Sequence, residues 1–171
     1  MLTLYISAAS DLMAEREALA RMVAALPVAL TWHILQTPIT HLEPLDLEAL
    51  GSADVYLLLM GGDIRAPVGL EWLTARRAGL RVRPYLKRGV PRTPAGQVFI
   101  KDVGLAWQPF ADAADLSRVV QRVLVDHLLQ HARRYALTSD EITSLEGMPA
   151  EAQEEEPGVS GEEAGHSAVI L

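Results

Sequence analysis

Residues 6–17, which read ISAASDLMAERE, are the stretch that decides the fold. The apolar residues 2–6 that run into it predict a β-strand, and a helix is predicted to open at Ser10 or Asp11. A loop of Ser and Ala joins the two, and such small residues leave backbone N–H groups uncovered. Because ligands of open α/β sheets bind beyond the carboxyl ends of the strands, we expect a binding site at this loop.

Apolar periodicity predicts alternating strands and helices along the rest of the chain. Residues 54–60, DVYLLLM, form the clearest strand, because this continuously apolar run ends at Gly61-Gly62 like the buried centre of a parallel sheet. Further strands are expected over 28–35, 82–86 and 106–110, and helices over 11–26, 46–52, 69–78 and 112–137. Residues 98–103 fit a short helix or a strand equally well.

This order of elements predicts the fold class. Parallel strands need helical crossovers, and strands and helices alternate throughout the chain. We therefore expect a three-layer, flavodoxin-like, doubly wound α/β fold with a parallel sheet of five strands in the order 2-1-3-4-5. The run at 54–60 should be the central strand.

Charge divides the chain into a neutral body and an acidic tail. The net charge is −7, and residues 146–171 hold seven Glu and no Lys or Arg, which leaves 15 acidic and 15 basic residues in 1–145. The Glu-, Gly-, Pro- and Ala-rich tail cannot build a core, so we expect one domain over 1–145 and a disordered acidic tail over 146–171. A neutral body predicts no nucleic-acid partner.

Composition also excludes several classes of site. The chain has no cysteine, which rules out disulfides, thiolate metal ligands and a cysteine nucleophile, and is consistent with a cytoplasmic location. No 18-residue apolar run exists, so we expect no membrane span. His127 and His131 have the spacing of a chelating pair, but a core and a surface histidine fit as well and no third ligand is evident. We expect no metal site.

The opening stretch also resembles a known signature, ISSTF-x-DL-x-x-ER. Ile6 and Ser7 match its start, and Asp11-Leu12 and Glu15-Arg16 match DL-x-x-ER, whereas residues 8–10 replace Ser-Thr-Phe. The signature belongs to bacterial domains related to TIR domains and nucleoside deoxyribosyltransferases, which commonly precede NACHT-type or other signalling ATPases. The resemblance implies a TIR-like signalling or adaptor domain of a bacterial defence or signal-transduction system, with a nucleotide-sized crevice.

The same resemblance bears on partners. It implies a protein partner, such as a NACHT-type or other signalling ATPase, and leaves a homo-oligomer open. It implies no cofactor, although NAD or a nucleoside could be a substrate.

Glu71 is the candidate catalytic residue. It lies in GLEWLTARRAG, which is similar to the S/T-x-x-E-x-x-x-A pattern of the TIR and deoxyribosyltransferase relatives. The resemblance implies that Glu71 attacks or stabilises the anomeric carbon of a ribose, as in an NAD glycohydrolase or a deoxyribosyltransferase-like enzyme. An anion suits this step because the departing base leaves oxocarbenium character on the sugar. The alternative is a partly exposed Glu in a first helical turn that stabilises the helix dipole.

Four other residues are predicted to bind a substrate. Ser7 and Ser10 can hydrogen-bond a ligand at the first loop, although Ser10 can instead be the N-cap of the first helix. Asp63 and Arg65 follow the central strand and suit ribose hydroxyls and a phosphate, respectively. The alternative for this pair is a Gly-Gly-Asp turn followed by a solvated arginine.

Asp11, Glu15 and Arg16 are interpreted first as structural residues that hold the opening loop. Glu15 and Arg16 are adjacent and face different ways on a helix, so they are not expected to pair. Arg16 falls on the apolar stripe, where a buried guanidinium needs a carboxylate partner. The carboxylates available for this role are Glu71, Asp54 and Asp63.

Overall fold

A computed structural model describes residues 1–39, 44–64 and 66–148. Within them, strands and α-helices alternate along the chain. The strands are β1 (Leu2–Ala8), β2 (Trp32–Gln36), β3 (Val55–Met60), β4 (Val82–Lys87) and β5 (Gln108–Phe110). The helices are α1 (Met13–Ala24), α2 (Leu47–Gly51), α3 (Ala66–Arg77), α4 (Pro94–Asp102), α5 (Ala113–Gln130) and α6 (Ser139–Glu146), and a 3-10 turn spans Ser10–Leu12.

The strands form one parallel sheet in the order β2-β1-β3-β4-β5. Strand β3 is central, and all of its residues are buried. Helices α1 and α5 cover one face of the sheet, and α2 and α3 cover the other. The predicted flavodoxin-like fold and strand order are confirmed.

Strand β1 supplies side chains to both faces of the sheet. Leu4 and Ile6 join the core under α1 and α5. Tyr5 lies in the opposite core, with Tyr56 of β3 as its cross-strand neighbour. Because side chains alternate along a strand, Ser7 shares the face of Tyr5 and meets α3. This alternation places Tyr5 and Ser7 beneath α3.

Strand β2 and helix α3 begin three or more residues away from their predicted starts. Strand β2 begins at Trp32, which pairs with Leu2, the first residue of β1. Residues 28–31 precede this pair and therefore have no residue of β1 opposite them. Helix α3 begins at Ala66, three residues before the predicted start, which places Pro67 in a first turn, where a missing N–H costs nothing.

The ambiguous stretch at 98–103 belongs to helix α4. Thr93 caps this helix by accepting a hydrogen bond from the Gly96 N–H at 3.1 Å, and Pro94 occupies its first turn. Thr93 and Pro94 are therefore a helix start signal in the sequence, and they lie upstream of the ambiguous residues 98–103.

The last long helix is shorter than the predicted span of 112–137. Helix α5 ends at Gln130, where the His131 Nδ1 lies 2.8 Å from the His127 carbonyl oxygen. The chain then turns, and Ala136 adopts a φ of 52°, a left-handed conformation that no helix interior contains. Helix α6 follows as a separate element.

Helix α6 begins with a capping box, for which Thr138-x-x-Glu141 is the sequence pattern. Thr138 Oγ1 accepts from the Glu141 N–H at 3.2 Å, and the Glu141 carboxylate accepts from the Thr138 N–H at 2.7 Å.

Thr138→Ala should lower the free energy of unfolding by about 1 kcal/mol, since it removes the cap. Chemical denaturation would measure the loss. Ser144→Ala, in the same helix, is the matched control and should be neutral; equal stability of both variants would contradict the prediction.

The end of the described chain still contacts the domain. Met148 packs against the core that contains Leu145, three residues beyond the predicted domain boundary. The predicted tail from residue 149 onward lies outside the described residues. Across the described ranges, no helix is both long enough and apolar enough to cross a membrane.

Candidate functional site

Glu71 lies in the second turn of α3, and its side chain is completely buried against the sheet (0 % exposed). The prediction of a partly exposed first-turn residue is wrong. The helix starts earlier than expected, at Ala66, which places Glu71 further from the N-terminus, and its side chain points toward β1, where Tyr5 and Ser7 bond it.

Three hydroxyl groups donate hydrogen bonds to the Glu71 carboxylate. The Tyr5 hydroxyl donates to Oε1 at 2.8 Å, and the Thr37 hydroxyl donates to Oε2 at 2.6 Å. The Ser7 hydroxyl also donates to Oε2. Tyr5 and Ser7 belong to β1, and Thr37 directly follows β2, so the site lies toward the carboxyl ends of these two strands. We call Glu71, Tyr5, Ser7 and Thr37 the Glu71 cluster.

Backbone contacts orient the cluster. The Ala8 N–H donates to Thr37 Oγ1 at 3.0 Å, so the hydroxyl proton of Thr37 is free to point at Glu71. Buried Arg16 donates to the Gln36 side chain at 2.8 Å and to the Thr37 carbonyl at 2.6 Å. The guanidinium thus fixes the end of β2 from which Thr37 reaches the carboxylate.

Burial dominates the electrostatics of the site. It raises the pKa of the Glu71 carboxyl, and the hydroxyls of Ser7, Thr37 and Tyr5 and the charge of Arg16 oppose this rise without cancelling it. Burial, followed by the charge of Glu71, also raises the pKa of the Tyr5 phenol above its usual range. The cluster is therefore a fully buried carboxyl group surrounded by hydroxyls.

The raised pKa of Glu71 predicts a pH dependence of stability. The folded protein holds a proton that the unfolded chain, with a pKa near 4.5, releases, so the free energy of unfolding should fall as the pH rises above 4.5. Glu71→Gln cannot titrate, and should therefore gain stability relative to wild type over that range. Urea unfolding at several pH values on either side of 4.5 would test this. Parallel pH profiles of the two proteins would contradict it.

Of the other residues predicted to bind a substrate, Ser10 and Asp63 do not join the cluster. Ser10 is exposed, and Ala9 rather than Ser10 precedes the 3-10 turn, so the N-cap alternative for Ser10 is wrong. Asp63 accepts from the Thr93 hydroxyl at 2.5 Å and from the Ile64 N–H at 2.9 Å. Arg65 lies outside the described residues. Among the described members of the predicted set, Ser7 is the one that contacts Glu71.

The charged signature residues connect the opening loop and α1 to the ends of three strands. Asp11 accepts from the Gly62 N–H after β3 at 2.8 Å. Glu15 is buried and pairs with Lys87 at the end of β4, with 2.6 Å between Oε1 and Nζ. Arg16 donates hydrogen bonds to Gln36 and Thr37 at the end of β2. A side chain at Gly61 would lie 2.3 Å from the Asp11 carboxylate, which explains the glycine.

The charge of Arg16 acts on Glu71, one of the three carboxylates predicted to compensate it, and lowers the pKa of that carboxyl less than the three hydroxyls do. Asp54 instead pairs with Arg134 and accepts from the Thr3 N–H, and Asp63 bonds Thr93. The contribution of Arg16 to Glu71 is therefore secondary to those of burial and of the three hydroxyls.

The two histidines of α5 form a different polar group. The His127 Nε2 lies 2.8 Å from the Tyr135 hydroxyl, and burial, aided by His131, lowers the pKa of His127 to about 4. In the described part of the chain, no group of three His, Asp or Glu side chains could hold a metal ion.

Sequence reasoning missed Tyr5 and Thr37. Tyr5 is hidden in an apolar strand, but it stands two residues from Ser7 and therefore on the same face of β1. Thr37 lies in a stretch without periodicity, and no local signal marks it.

Comparison of the chain with protein-family models, with curated proteins and with solved structures found no match. Fold and site define the class: a flavodoxin-like α/β domain with a buried, hydroxyl-bound carboxyl group.

Proposed function

We propose that the protein cleaves an N-glycosidic bond of a nucleoside or of NAD, with Glu71 as the catalytic residue. The observation that carries this proposal is the complete burial of a carboxyl group held by three hydroxyls. Burying an ionisable group costs free energy, and an apolar residue would fill the same space without that cost. Perturbed groups of this kind concentrate at functional sites.

The geometry of the cluster suits the chemistry of the anomeric carbon. As the bond from this carbon to the base breaks, its electron pair leaves with the base, and positive charge develops on the sugar. A carboxylate in a site that excludes water stabilises that charge more strongly than a carboxylate in water does. Because the surrounding hydroxyls are already fixed in place, the site does not have to reorganise as the charge develops. Water then attacks the anomeric carbon. The hydroxyl group of the water becomes bonded to the sugar, and its remaining proton ends on the departing base.

The location in the fold supports the same function. Ser7 lies near the end of β1 and Thr37 follows β2, so the cluster is near the sheet edge at which doubly wound folds bind ligands. The Oε1 atom of Glu71 accepts one hydrogen bond from the described residues, that of Tyr5, whereas Oε2 accepts two. Oε1 is therefore the oxygen with capacity left for a sugar.

A second candidate function is that of a non-catalytic signalling or adaptor domain. The specific observation in its favour is that Glu71 has no exposed surface and that the hydroxyls of Tyr5, Ser7 and Thr37 already bond its carboxyl group. In that case the cluster serves the fold, and the domain binds a protein partner, such as a signalling ATPase, or a further copy of itself. In either role we place the protein in the cytoplasm, in a bacterial defence or signal-transduction system.

Incubation of the purified protein with NAD and a panel of nucleosides tests the two functions. Released base, separated by chromatography, should accumulate faster than in protein-free samples if the protein is an N-glycosidase. Absence of release from every substrate, both alone and with a partner ATPase, would reject the enzyme and leave the adaptor.

A further inference from the structure

The stretch 72–101 is basic throughout, since it holds eight Lys and Arg and no Asp or Glu. Lys87 and Arg88, at the carboxyl end of β4, pair with carboxylates of α1 and α5. At the other end of β4, three exposed arginines make no ion pair within the described ranges. They are two residues in the last turn of α3 and one just before β4, which we call the arginine patch: Arg76, Arg77 and Arg81.

The arginine patch continues into exposed apolar residues on the outer face of α3. Leu70 and Leu73 are 44 % and 40 % exposed. Leu70, Leu73 and Arg77 follow one another at spacings of three and four residues, so they lie in one row along the helix. The outer face of α3 therefore has an apolar part nearer its start and a basic part at its end.

Residues 149–171 carry the complementary groups. They hold six Glu and no Lys or Arg, and every one of these Glu lies between positions 151 and 163. The apolar run Ala-Val-Ile-Leu follows at 168–171. One ion pair on a surface contributes little, but several pairs beside a buried apolar contact contribute more. The segment thus matches the outer face of α3 in charge and in apolar character.

The segment is also long enough to reach α3. Met148 lies beside Gln121, near the middle of α5 and on the other face of the sheet. At ~3.3 Å per residue, residues 149–171 can span roughly 75 Å, whereas a domain of this size has a radius of gyration of about 15 Å. A path around the amino edge of the sheet meets the arginine patch before the leucines. The segment presents its glutamates and its apolar run in that same order.

We propose that residues 149–171 bind the outer face of α3 in the same chain. Their glutamates lie against the arginine patch, and residues 168–171 lie against Leu70 and Leu73. The inner face of this helix carries Glu71, so the bound segment covers the helix that holds the Glu71 cluster. The inference concerns a contact within the chain and does not depend on the proposed function.

A spin label on the segment tests this contact in the full chain. The chain has no cysteine, so Ser167→Cys provides a single attachment point beside the apolar run. The label should broaden the NMR signals of the backbone amides of residues 70–81. At roughly 1 M salt, where the Debye length is about 3 Å, the broadening should decrease, because charge attraction holds the acidic part of the segment.

Two charge variants remove the attraction from opposite sides. Arg76→Gln/Arg77→Gln should lose the broadening, and so should a protein with Gln at all three positions of 154–156. The matched control Arg21→Gln/Arg88→Gln removes two exposed cations outside the arginine patch and should keep the broadening. Since Arg76 and Arg77 are exposed, their variant should fold, and its melting temperature would show this.

The outcomes distinguish the segment from other occupants of this face. Absence of broadening at residues 70–81 in the otherwise unaltered protein would overturn the inference and leave the face to another partner. Broadening that persists in both charge variants would also overturn it, because the charges would not select the site. A mixture of isotope-labelled protein without the spin label and spin-labelled protein without the isotope separates one chain from two. Broadening in that mixture would show that the segment binds a second copy, which contradicts a contact within one chain.

Discussion

Glu71→Gln is expected to reduce base release by ~10²–10³-fold, the effect of losing one preorganised electrostatic group in an active site. The amide keeps the shape of the carboxylate and one accepting oxygen, and Tyr5 can still donate to that oxygen. It carries no charge, however, and so cannot stabilise the positive sugar. The loss should therefore appear in the rate of cleavage.

Chromatographic measurement of the released base, at saturating substrate and with equal amounts of folded protein, would give this ratio. Glu48→Gln is the matched control, because it makes the same chemical change on the exposed surface of α2 and should keep the wild-type rate. If Glu71→Gln releases base as fast as wild type, another group performs the chemistry. The hydroxyls of Ser7 and Thr37 can rotate, so the variant should fold.

Much of the fold follows from a few local signals. The continuously apolar run from Val55 to Met60 indicates a strand buried on both faces, and only the centre of a parallel sheet offers that environment. Alternation of strands and helices then leaves few topologies, since parallel crossovers need helices. Element ends were less predictable, because the start of β2 depends on where β1 begins rather than on its own residues.

The site was only partly predictable, for a related reason. Glu71 is buried because its face of α3 packs against β1, and the residues of α3 alone do not indicate which face the sheet covers. Tyr5 and Thr37 meet Glu71 through pairings that span 66 and 34 residues of sequence. Periodicity describes one element at a time, so it cannot predict contacts among a strand, a loop and a helix.

Lys87→Met is expected to lower the free energy of unfolding by about 2–4 kcal/mol, because it leaves the Glu15 carboxylate buried without its cation. Glu15 is 2 % exposed, and the Lys87 side chain is 26 % exposed. This partial access to water keeps the effect below the ~3–5 kcal/mol of a fully buried pair. For a domain of this size, the melting temperature should fall by roughly 4–16 °C.

The double variant Glu15→Gln/Lys87→Met distinguishes a lost cation from lost packing. A neutral amide needs no counterion, so the double variant should recover most of the stability that Lys87→Met loses, and a double-mutant cycle would give their coupling. Lys101→Met, on the exposed surface of α4, is the control and should stay within about 0.5 kcal/mol of wild type. If Lys87→Met matches that control, the pair does not hold α1 to the end of β4. If the double variant is as unstable as Lys87→Met, the loss comes from packing of the lysine stem instead of from charge.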